Sequence, residues 1–461
     1  MDAFRIKGGA RLSGRIRTDG SKNASLPLMA AALLADQPLT LRGVPALSDT
    51  SNMTRLLAEL GCRADVTEHE AGNRRDITLN NVDTALTHAR YDIVRTMRAS
   101  VCVLGPLLAR RQRAAVAMPG GCAFGARPVD LHLRGLEALG ARIELRSGDI
   151  LASADRLRGA TVFLGGPFGS TVLGTANVMS AACLAQGTTV IESAACEPEI
   201  VNLADLLNAM GARIAGAGSP RITIQGVQQL GGAEHTVLPD RIVAGTYAIA
   251  AAVTNGELVI DHFPHDSLLA LIDRLNMIGV HVERLDPTEP SAACSVRITS
   301  ERRLNPSIIT TQPFPGFPTD LQAQMMVLLC LADGNSIITE KIFPERFMHV
   351  AELTRMGAQL FRQGPTVVVQ GGSRLIGAPV MASDLRASAS LVLAGLAAEG
   401  ETTVSRVYHL DRGYVAMEQV LSGLGADIQR FNPDAGQTPA ETPVPPLVET
   451  VPPPIAARPT T

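Results

Sequence analysis

The chain has 461 residues, of which 46% are hydrophobic and 18% are charged, and its formal net charge is −3 at pH 7. This balance is typical of a folded protein, and without a basic block it argues against nucleic acid as the main partner. Because single hydrophobic cores stop growing at about 250–300 residues, the length predicts at least two domains. Aromatic residues make up 3% and tryptophan is absent, so aliphatic side chains and methionine must fill these cores.

The seven cysteines show no C-x-x-C spacing, and their number is odd. This pattern favours a reducing compartment over a disulfide framework and predicts no zinc site. The N-terminal residues do not resemble a signal peptide. The longest apolar runs, residues 26–35 and 325–332, are shorter than the roughly 20 residues that a membrane helix needs. We therefore expect a cytoplasmic protein without a membrane partner.

A short pattern recurs six times along the chain: an amphipathic segment with regularly spaced apolar residues, a glycine, and then alternating apolar and polar residues. The pattern predicts a helix, a glycine that ends it in the left-handed conformation, and a half-buried strand. The marker glycines recur at intervals of roughly 70 to 80 residues. They are Gly61, Gly140, Gly211, Gly279, Gly357 and Gly425.

Each repeat also contains a second, more apolar helix, predicted over residues 24–35, 98–109, 177–185, 244–253, 321–332 and 385–398. A strand is predicted after it, as at Thr188–Glu192. Six such repeats predict two domains of three repeats, since stacked repeats bury a core that one repeat cannot bury alone. The turn-rich segment 231–240 is the predicted crossing between the domains. Residues 431–461 contain nine prolines and are expected to be a disordered extension, for which no partner is predicted.

The starts of the predicted apolar helices carry unusual polar residues. A helix start offers unpaired N–H groups and a partial positive charge, so several starts around one cleft would bind an anion. Thr319-Asp320 and Asp384 fit ordinary helix capping equally well. Capping does not explain Lys22, Arg98 or Arg241, because a positive charge opposes the helix dipole at that end. These cations predict a nearby anion.

A second cluster of interest is segment 119–131, in which Cys122 lies among three glycines and is followed by Arg127. Glycines give a mobile, exposed backbone, and the arginine can lower the thiol pKa from about 8.5 towards neutrality. A cysteine is more often a small buried hydrophobic residue, and Cys102, Cys183 and Cys330 in apolar helices fit that interpretation. Cys122 does not, and it is therefore the candidate reactive thiol.

Other catalytic patterns are missing from the sequence. No His/Asp pattern supports a serine hydrolase. The chain has no Walker A run, and no G-x-G-x-x-G follows a predicted strand. If the protein handles a phosphate, ordinary nucleotide-dependent phosphoryl transfer is not the chemistry.

The candidate residues lie in long motifs that resemble the UDP-N-acetylglucosamine 1-carboxyvinyltransferase family over roughly residues 2–430. The motifs are DGSKNASLPLMAAALLA (19–35), YDIVRTMRAS (91–100), PGGCAFGARPVDLH (119–132), FPTDLQAQ (317–324), FPERFMHVAEL (343–353), DLRASASLVLAG (384–395) and YHLDRGY (408–414). The resemblance implies an α/β fold, a two-domain inside-out α/β barrel of six βαβαββ repeats. It also implies that the first strand joins the second domain. The domains would then be 21–238, and 1–20 with 239–430, followed by the tail 431–461.

The resemblance further implies the reaction. The enolpyruvyl group of phosphoenolpyruvate would move to the 3-hydroxyl of UDP-N-acetylglucosamine with release of phosphate, by addition and elimination. This is the first committed step of peptidoglycan precursor synthesis. Because a C–O bond breaks rather than a P–O bond, no metal or cofactor is implied.

Roles follow for individual residues. Cys122 would protonate C3 of phosphoenolpyruvate, Asp320 would take the proton of the sugar hydroxyl, and Asn23 would hydrogen-bond near that hydroxyl. Lys22, Arg127 and Arg412 would hold the phosphate, and Arg346 and Arg386 would add carboxylate or phosphate contacts. The implied contacts of the nucleotide sugar are Arg98, Arg127, Pro128, Val129, Asp130, Leu131, Gly169, Ser170, Thr171, Val172, Asp320 and Ile342.

The chain departs from the family pattern at segment 169–173, at Cys196, where arginine is usual, and at Val243, where an acidic residue is usual. These departures leave open a different nucleotide-sugar acceptor. Shikimate 3-phosphate is a weaker alternative, because enzymes acting on it would not be expected to carry the Cys122 loop. A catalytically silent regulatory protein is opposed by the retained catalytic residues.

Overall fold

The computed structural model describes residues 2–69, 73–119, 129–286, 288, 293–300 and 303–433. Cys122, Arg127 and Pro128 lie outside the described residues, and so does the tail from residue 434 onward. Among the helices of the described ranges, none combines the length and the apolar character that crossing a bilayer requires.

The strands of the described residues are short. They are β1 (Ala3–Lys7), β2 (Ser13–Arg17), β3 (Leu39–Pro45), β4 (Cys62–Glu68), β5 (Arg74–Asn81), β6 (His88–Ala89), β7 (Arg113–Ala117), β8 (Arg142–Arg146), β9 (Asp149–Ser153), β10 (Thr161–Phe163), β11 (Gly165–Gly166), β12 (Gly169–Ser170), β13 (Thr188–Glu192), β14 (Arg213–Ala215), β15 (Arg221–Gln225), β16 (Glu234–Thr236), β17 (Glu257–Phe263), β18 (Val280–Arg284), β19 (Cys294–Ser300), β20 (Ile308–Thr310), β21 (Asn335–Thr339), β22 (Gln359–Gln363), β23 (Thr366–Gln370), β24 (Pro379–Met381), β25 (Glu401–Ser405) and β26 (Asp427–Phe431).

The α-helices are α1 (Lys22–Ala31), α2 (Ser48–Glu59), α3 (Tyr91–Val94), α4 (Leu104–Arg111), α5 (Asp130–Ala138), α6 (Val172–Ala182), α7 (Pro198–Ala209), α8 (Arg241–Val253), α9 (Leu269–Ile278), α10 (Gln322–Cys330), α11 (Met348–Arg355), α12 (Leu385–Ala397) and α13 (Met417–Gly423). Short 3₁₀ segments adjoin several of them, at Ala32–Leu34, Arg98–Val103, His265–Leu268, Thr319–Leu321 and Val407–Arg412.

Within the described residues, six four-stranded sheets share one pattern. In each sheet the first two strands run parallel, and the third and fourth are added antiparallel. The strand orders are β16-β3-β5-β4, β6-β7-β9-β8, β10-β13-β15-β14, β2-β17-β19-β18, β20-β21-β23-β22 and β24-β25-β1-β26. Six equivalent sheets confirm the sixfold repeat that the sequence predicts.

The apolar helices lie inside and the sheets lie around them. Helix α6 packs against α1 and α4 in the first half of the chain, and α8, α10 and α12 pack against one another in the second half. All residues of α10 are buried, and so are residues 174–182 of α6. A helix surrounded by protein on every side needs no solvent-facing polar side, which explains why most residues of these two helices are apolar. This arrangement is the predicted inside-out α/β fold.

The amphipathic helix of each repeat ends within two residues of its marker glycine, as predicted. All six marker glycines have positive φ, from 78° at Gly61 to 104° at Gly211. Helix α9 ends directly on Gly279, whose N–H bonds back to the carbonyls of Leu275 and Asn276. The left-handed conformation satisfies the last carbonyls of the helix and turns the chain into the following strand.

The buried residues form two separate core clusters. One extends from Ala24 to Val237, and the other combines Phe4, Ile6 and Leu12 with side chains from residue 242 onward. Strands β1 and β2 belong to sheets of the second cluster, and β16 completes a sheet of the first. The boundaries predicted at residues 20 and 238 remain a prediction, and the separation of the two clusters supports it.

Candidate active site

Lys22 opens helix α1 at the place where the two halves of the molecule meet. Ser21 caps this helix by accepting a hydrogen bond from the N–H of Ala24 at 3.3 Å. The N–H of Lys22 donates across the halves to Asp240 Oδ2 at 3.1 Å, and Asp240 also caps α8. One carboxylate therefore holds two helix starts together, one from each half.

A buried carboxylate, Asp49, binds two of the predicted phosphate ligands. Lys22 Nζ donates to Asp49 Oδ2 at 3.3 Å, and Arg412 donates through Nε and Nη2 at 3.1 and 3.4 Å. Asp49 lies in the first turn of α2, whereas Arg412 ends the 3₁₀ segment Val407–Arg412 of the other half. Burial lowers the pKa of Lys22, and the charge of Asp49 opposes that shift.

The predicted base, Asp320, lies between two arginines. Arg346 Nη1 donates to Asp320 Oδ1 at 2.7 Å, and Arg386 Nη2 donates to Oδ2 at 3.1 Å. Burial alone would raise the pKa of Asp320, but the guanidinium groups of Arg386 and Arg346 hold it well below its usual value. Arg386 also donates to the hydroxyl of Tyr414 at 3.3 Å, which fixes its orientation.

Glu340 is fully buried and orders the surroundings of Asp320. It accepts hydrogen bonds from the hydroxyl of Thr319 at 2.8 Å and from the N–H groups of Ile342 and Phe343 at 2.8 and 2.9 Å. The Thr319 hydroxyl in turn accepts from Arg346 Nη1 at 3.1 Å. This network fixes both the loop that carries Arg346 and the predicted sugar contact Ile342.

The group of side chains around Asp49 lies close to the group around Asp320. Arg386 and Arg412 lower the pKa of Lys22, and Asp320 raises it, so these charges lie close enough to interact. Asn23 lies half-buried beside Lys22 in α1. The structure therefore brings together the predicted ligands Lys22, Arg346, Arg386 and Arg412, each from a different segment of the chain. Guanidinium forks and an ammonium group in this arrangement suit the phosphate and carboxylate oxygens of a small anion.

The predicted sugar-contact residues of the first half form a neighbouring group. Val129 is buried, and Asp130 begins α5 and is exposed. Arg98 begins a 3₁₀ segment and acts on the pKa of His132 in α5, so it lies near the start of that helix. Leu131 lies against Gly166 of the β11–β12 hairpin. Arg98, the start of α5 and this hairpin therefore surround one region.

The hairpin brings segment 169–172 to the second half of the molecule. Gly169 and Ser170 form β12, Thr171 caps α6 by accepting from the N–H of Gly174 at 3.2 Å, and Val172 is the first residue of that helix. Gly169 has φ +103°, and a Cβ atom there would lie 2.7 Å from Pro313 Cγ. A side chain would thus press the two halves apart at this point.

Two interpretations of the helix starts need correction or refinement. Thr319 and Asp320 do not cap a helix. The Asp320 carboxylate accepts hydrogen bonds from Arg346 and Arg386, and no side chain caps the 3₁₀ segment Thr319–Leu321. Asp384 does cap α12, as the alternative interpretation predicted. Arg241 has its expected anion, but the anion is Glu199 of the protein itself, at 3.0 Å, and both side chains are buried.

The sequence did not indicate a role for three residues of this site, Asp49, Glu340 and Tyr414. Asp49 belongs to the run Ser48-Asp49-Thr50, which is typical of any helix start and gives no catalytic signal. Tyr414 is the last residue of the motif YHLDRGY, so the motif alone could have pointed to it.

Comparison with known proteins identifies the family. Residues 6–421 match the model of the EPSP synthase family, described as 3-phosphoshikimate 1-carboxyvinyltransferase. The chain is 51% identical to the UDP-N-acetylglucosamine 1-carboxyvinyltransferase of Nitratidesulfovibrio vulgaris strain DP4 and 52% identical to that of Myxococcus xanthus strain DK1622. Each alignment covers 93% of this chain and 99% of the relative. The chain belongs to the UDP-N-acetylglucosamine 1-carboxyvinyltransferase family. It is an enolpyruvyl transferase.

Solved structures agree with this family assignment. The enolpyruvyl transferase NikO from Streptomyces tendae superimposes with a TM-score of 0.82 at 25% identity, over 93% of this chain and 98% of NikO. EPSP synthase from Acinetobacter baumannii superimposes with a TM-score of 0.70 at 17% identity, over 94% of this chain and 100% of that structure, a likeness of fold alone.

Proposed function

We propose that this enolpyruvyl transferase moves the enolpyruvyl group of phosphoenolpyruvate to the 3-hydroxyl of UDP-N-acetylglucosamine and releases phosphate. The observation that carries the proposal is the convergence of four cations: Arg346 and Arg386 bind Asp320, and beside them Lys22 and Arg412 bind Asp49. About half of the residues are shared with relatives named for this reaction. The reaction is the first committed step of peptidoglycan precursor synthesis, and roles in cell shape and division belong to the same proposal, as does a cytoplasmic location.

The chemistry divides into addition and elimination. In the addition, the Cys122 thiol gives a proton to C3 of phosphoenolpyruvate, the sugar oxygen bonds to C2, and Asp320 takes the hydroxyl proton. In the elimination, the bond from C2 to the phosphate oxygen breaks, and C3 loses a proton to restore the double bond. Lys22, Arg127 and Arg412 hold the departing phosphate, and Asn23 orients the hydroxyl. Cys122 and Arg127 lie outside the described residues, so their roles rest on the sequence.

The state of Asp320 fits a base that substrate binding activates. Without substrate, two guanidinium groups stabilise its charged form and make it a weak base. The carboxylate and phosphate of phosphoenolpyruvate compete for Arg346 and Arg386 and so raise the pKa of Asp320. The base becomes stronger once both substrates are in place.

The nucleotide sugar takes the neighbouring region. Arg98, the start of α5 and the β11–β12 hairpin surround that region, which supports the predicted contacts Val129, Asp130, Leu131, Gly169, Ser170, Thr171 and Val172. Arg127 and Pro128 complete the predicted set from the sequence. Because the hairpin lies against Pro313, closure of the two halves would press on the bound sugar.

An acceptor panel tests the proposal. Phosphate release from phosphoenolpyruvate is measured with UDP-N-acetylglucosamine, with other nucleotide sugars, with shikimate 3-phosphate and without acceptor. We expect release with UDP-N-acetylglucosamine and none without acceptor. Release with another acceptor alone would move the assignment to that substrate, and silence with every acceptor would indicate a regulatory protein.

A further inference from the structure

We propose that Asp49 is a positioning residue for the phosphate site: it holds Lys22 and Arg412, from opposite halves of the molecule, in the arrangement that receives a phosphate. The inference rests on the proposed function. It assigns a role to a carboxylate that the reaction itself does not use.

The geometry of Asp49 is that of an anion enclosed by cations. Its side chain is 3% exposed, and both carboxylate oxygens accept hydrogen bonds from Lys22 and Arg412. The turn that carries it is rigid, because the hydroxyl of Thr50 donates to the Pro45 carbonyl at 2.8 Å and accepts from the N–H of Leu47 at 3.2 Å. A fixed carboxylate can therefore fix the two cations.

The segment that carries Arg412 is anchored on both sides of the contact. Ser48, next to Asp49, donates from its hydroxyl to the carbonyl of Asp411 at 3.4 Å. On the other side, Arg430 Nη1 donates to Asp411 Oδ2 at 3.1 Å. Asp49 engages Nε and Nη2 of Arg412, and a guanidinium group has five N–H donors. Donors therefore remain for phosphate oxygens while the orientation of the group is set.

Asp49 also keeps the charge that a phosphate needs. The charged side chains that face Lys22 among the described residues are Asp49, Arg386, Arg412 and Asp320, and Asp240 binds its backbone. Burial and the two arginines lower the pKa of Lys22, and Asp49 is the largest influence in the opposite direction. Without Asp49, the Lys22 amine would lose its proton at a lower pH.

A purely structural role is the alternative. An acidic residue in the first helical turn stabilises the positive end of the helix dipole, and Asp49 could serve α2 in that way alone. That role would affect the free energy of unfolding but not the pH dependence of phosphoenolpyruvate use. The pH profile therefore separates the two roles.

The test compares pH profiles of kcat/KM for phosphoenolpyruvate in the native protein and in the Asp49→Asn variant. We expect the alkaline limb of the variant to move to lower pH by about one unit or more, since an opposite charge at this distance typically shifts a pKa by that much. The KM for phosphoenolpyruvate should rise roughly tenfold, because a charge-assisted contact is lost. The KM for UDP-N-acetylglucosamine should change little.

Three further variants complete the experiment. Asp49→Glu keeps the charge and should return the alkaline limb to its native place. Asp49→Ser is a second neutral variant, which tests the same shift if the asparagine variant does not fold. Asp65→Asn removes an equal charge from an exposed site in β4 that pairs with Arg63, and should leave the profile unchanged.

The outcomes separate this inference from the proposed function. If the native protein is active, and the alkaline limb of its kcat/KM profile superimposes on those of Asp49→Asn and Asp49→Ser, the positioning role is overturned. The proposed function is then unaffected. An alkaline limb that stays shifted in Asp49→Glu would also overturn the positioning role. Absence of turnover by the native protein would overturn the proposed function, and the positioning role with it.

Discussion

The cysteine thiols of this chain lie in different surroundings. Burial raises the pKa of the thiols of Cys102, Cys183 and Cys330 to about 12, so they carry no thiolate at neutral pH. We predict that an epoxide phosphonate, which mimics phosphoenolpyruvate, labels Cys122 and spares these three, as read by peptide mass spectrometry. Label on Cys196 or on a buried thiol, with Cys122 unlabelled, would be the contrary result.

Cys122→Asp should escape labelling and retain some turnover, because aspartic acid can also donate a proton.

Asp320 is predicted to matter for both turnover and stability. Asp320→Asn removes the proposed base, and kcat should fall about 10²- to 10⁴-fold in the phosphate-release assay. The same change leaves the buried guanidinium groups of Arg346 and Arg386 without their anion, which should cost about 3 kcal/mol in urea unfolding. Asp333→Asn, an exposed carboxylate beside Arg303, is the matched control. Equal turnover in the two variants would exclude Asp320 as the base.

At the scale of single residues, the sequence predicted the cations of the site better than the residues that hold them. Lys22 stands out because a positive charge is unexpected at a helix start, whereas Arg386 was named only through the family resemblance. Asp49 and Glu340 do not stand out, because a carboxylate at a helix start or after a strand is ordinary. Their partners come from distant segments, and only the folded chain brings them into contact.

Among the elements, the marker glycines offer a direct test of the helix ends. Gly61 and Gly140 both have positive φ, but a Cβ atom at Gly61 would collide with the carbonyl oxygen of Asp83, whereas Gly140 has open space. Gly140→Ala should therefore cost about 1 kcal/mol, the penalty of the left-handed conformation alone. Gly61→Ala should cost about 1–3 kcal/mol more, because the backbone must also shift. Urea denaturation measures both, and equal costs would contradict the described contact.

The helices themselves were predicted well, because their apolar periodicity and glycine ends are local features. The predicted helix 98–109 begins instead as the 3₁₀ segment Arg98–Val103. Hydrophobic spacing does not distinguish the two helix types over so few residues, since both place every third or fourth side chain on one face. Such boundaries depend on packing against α1 and α6.

For the whole molecule, the repeats predicted six similar units in two domains, but not where each strand lies. Strand β1 pairs with β25 and β26 at the far end of the chain, and β16 joins β3 of the first repeat. These pairings connect residues hundreds of positions apart, which a local pattern does not record. The placement of β1 in the second domain came only from the family resemblance.

The same topology places the candidate site between the halves. Lys22 and Asp49 lie on helices that contribute to one core cluster, and Asp320, Arg386 and Arg412 lie on elements that contribute to the other. Ligand binding should therefore draw the halves together and exclude water from the reacting atoms. This geometry suits a reaction in which a reactive intermediate must be protected.

The fate of one oxygen atom tests the central claim most directly. The substrate is phosphoenolpyruvate with ¹⁸O at the position that bridges C2 and phosphorus. It is incubated with the protein and UDP-N-acetylglucosamine, and the masses of the products are measured by mass spectrometry. Addition and elimination break the C–O bond, so the label should leave with the inorganic phosphate while the sugar gains an unlabelled enolpyruvyl group. Label retained in a pyruvate product, with unlabelled phosphate, would show P–O cleavage and contradict enolpyruvyl transfer.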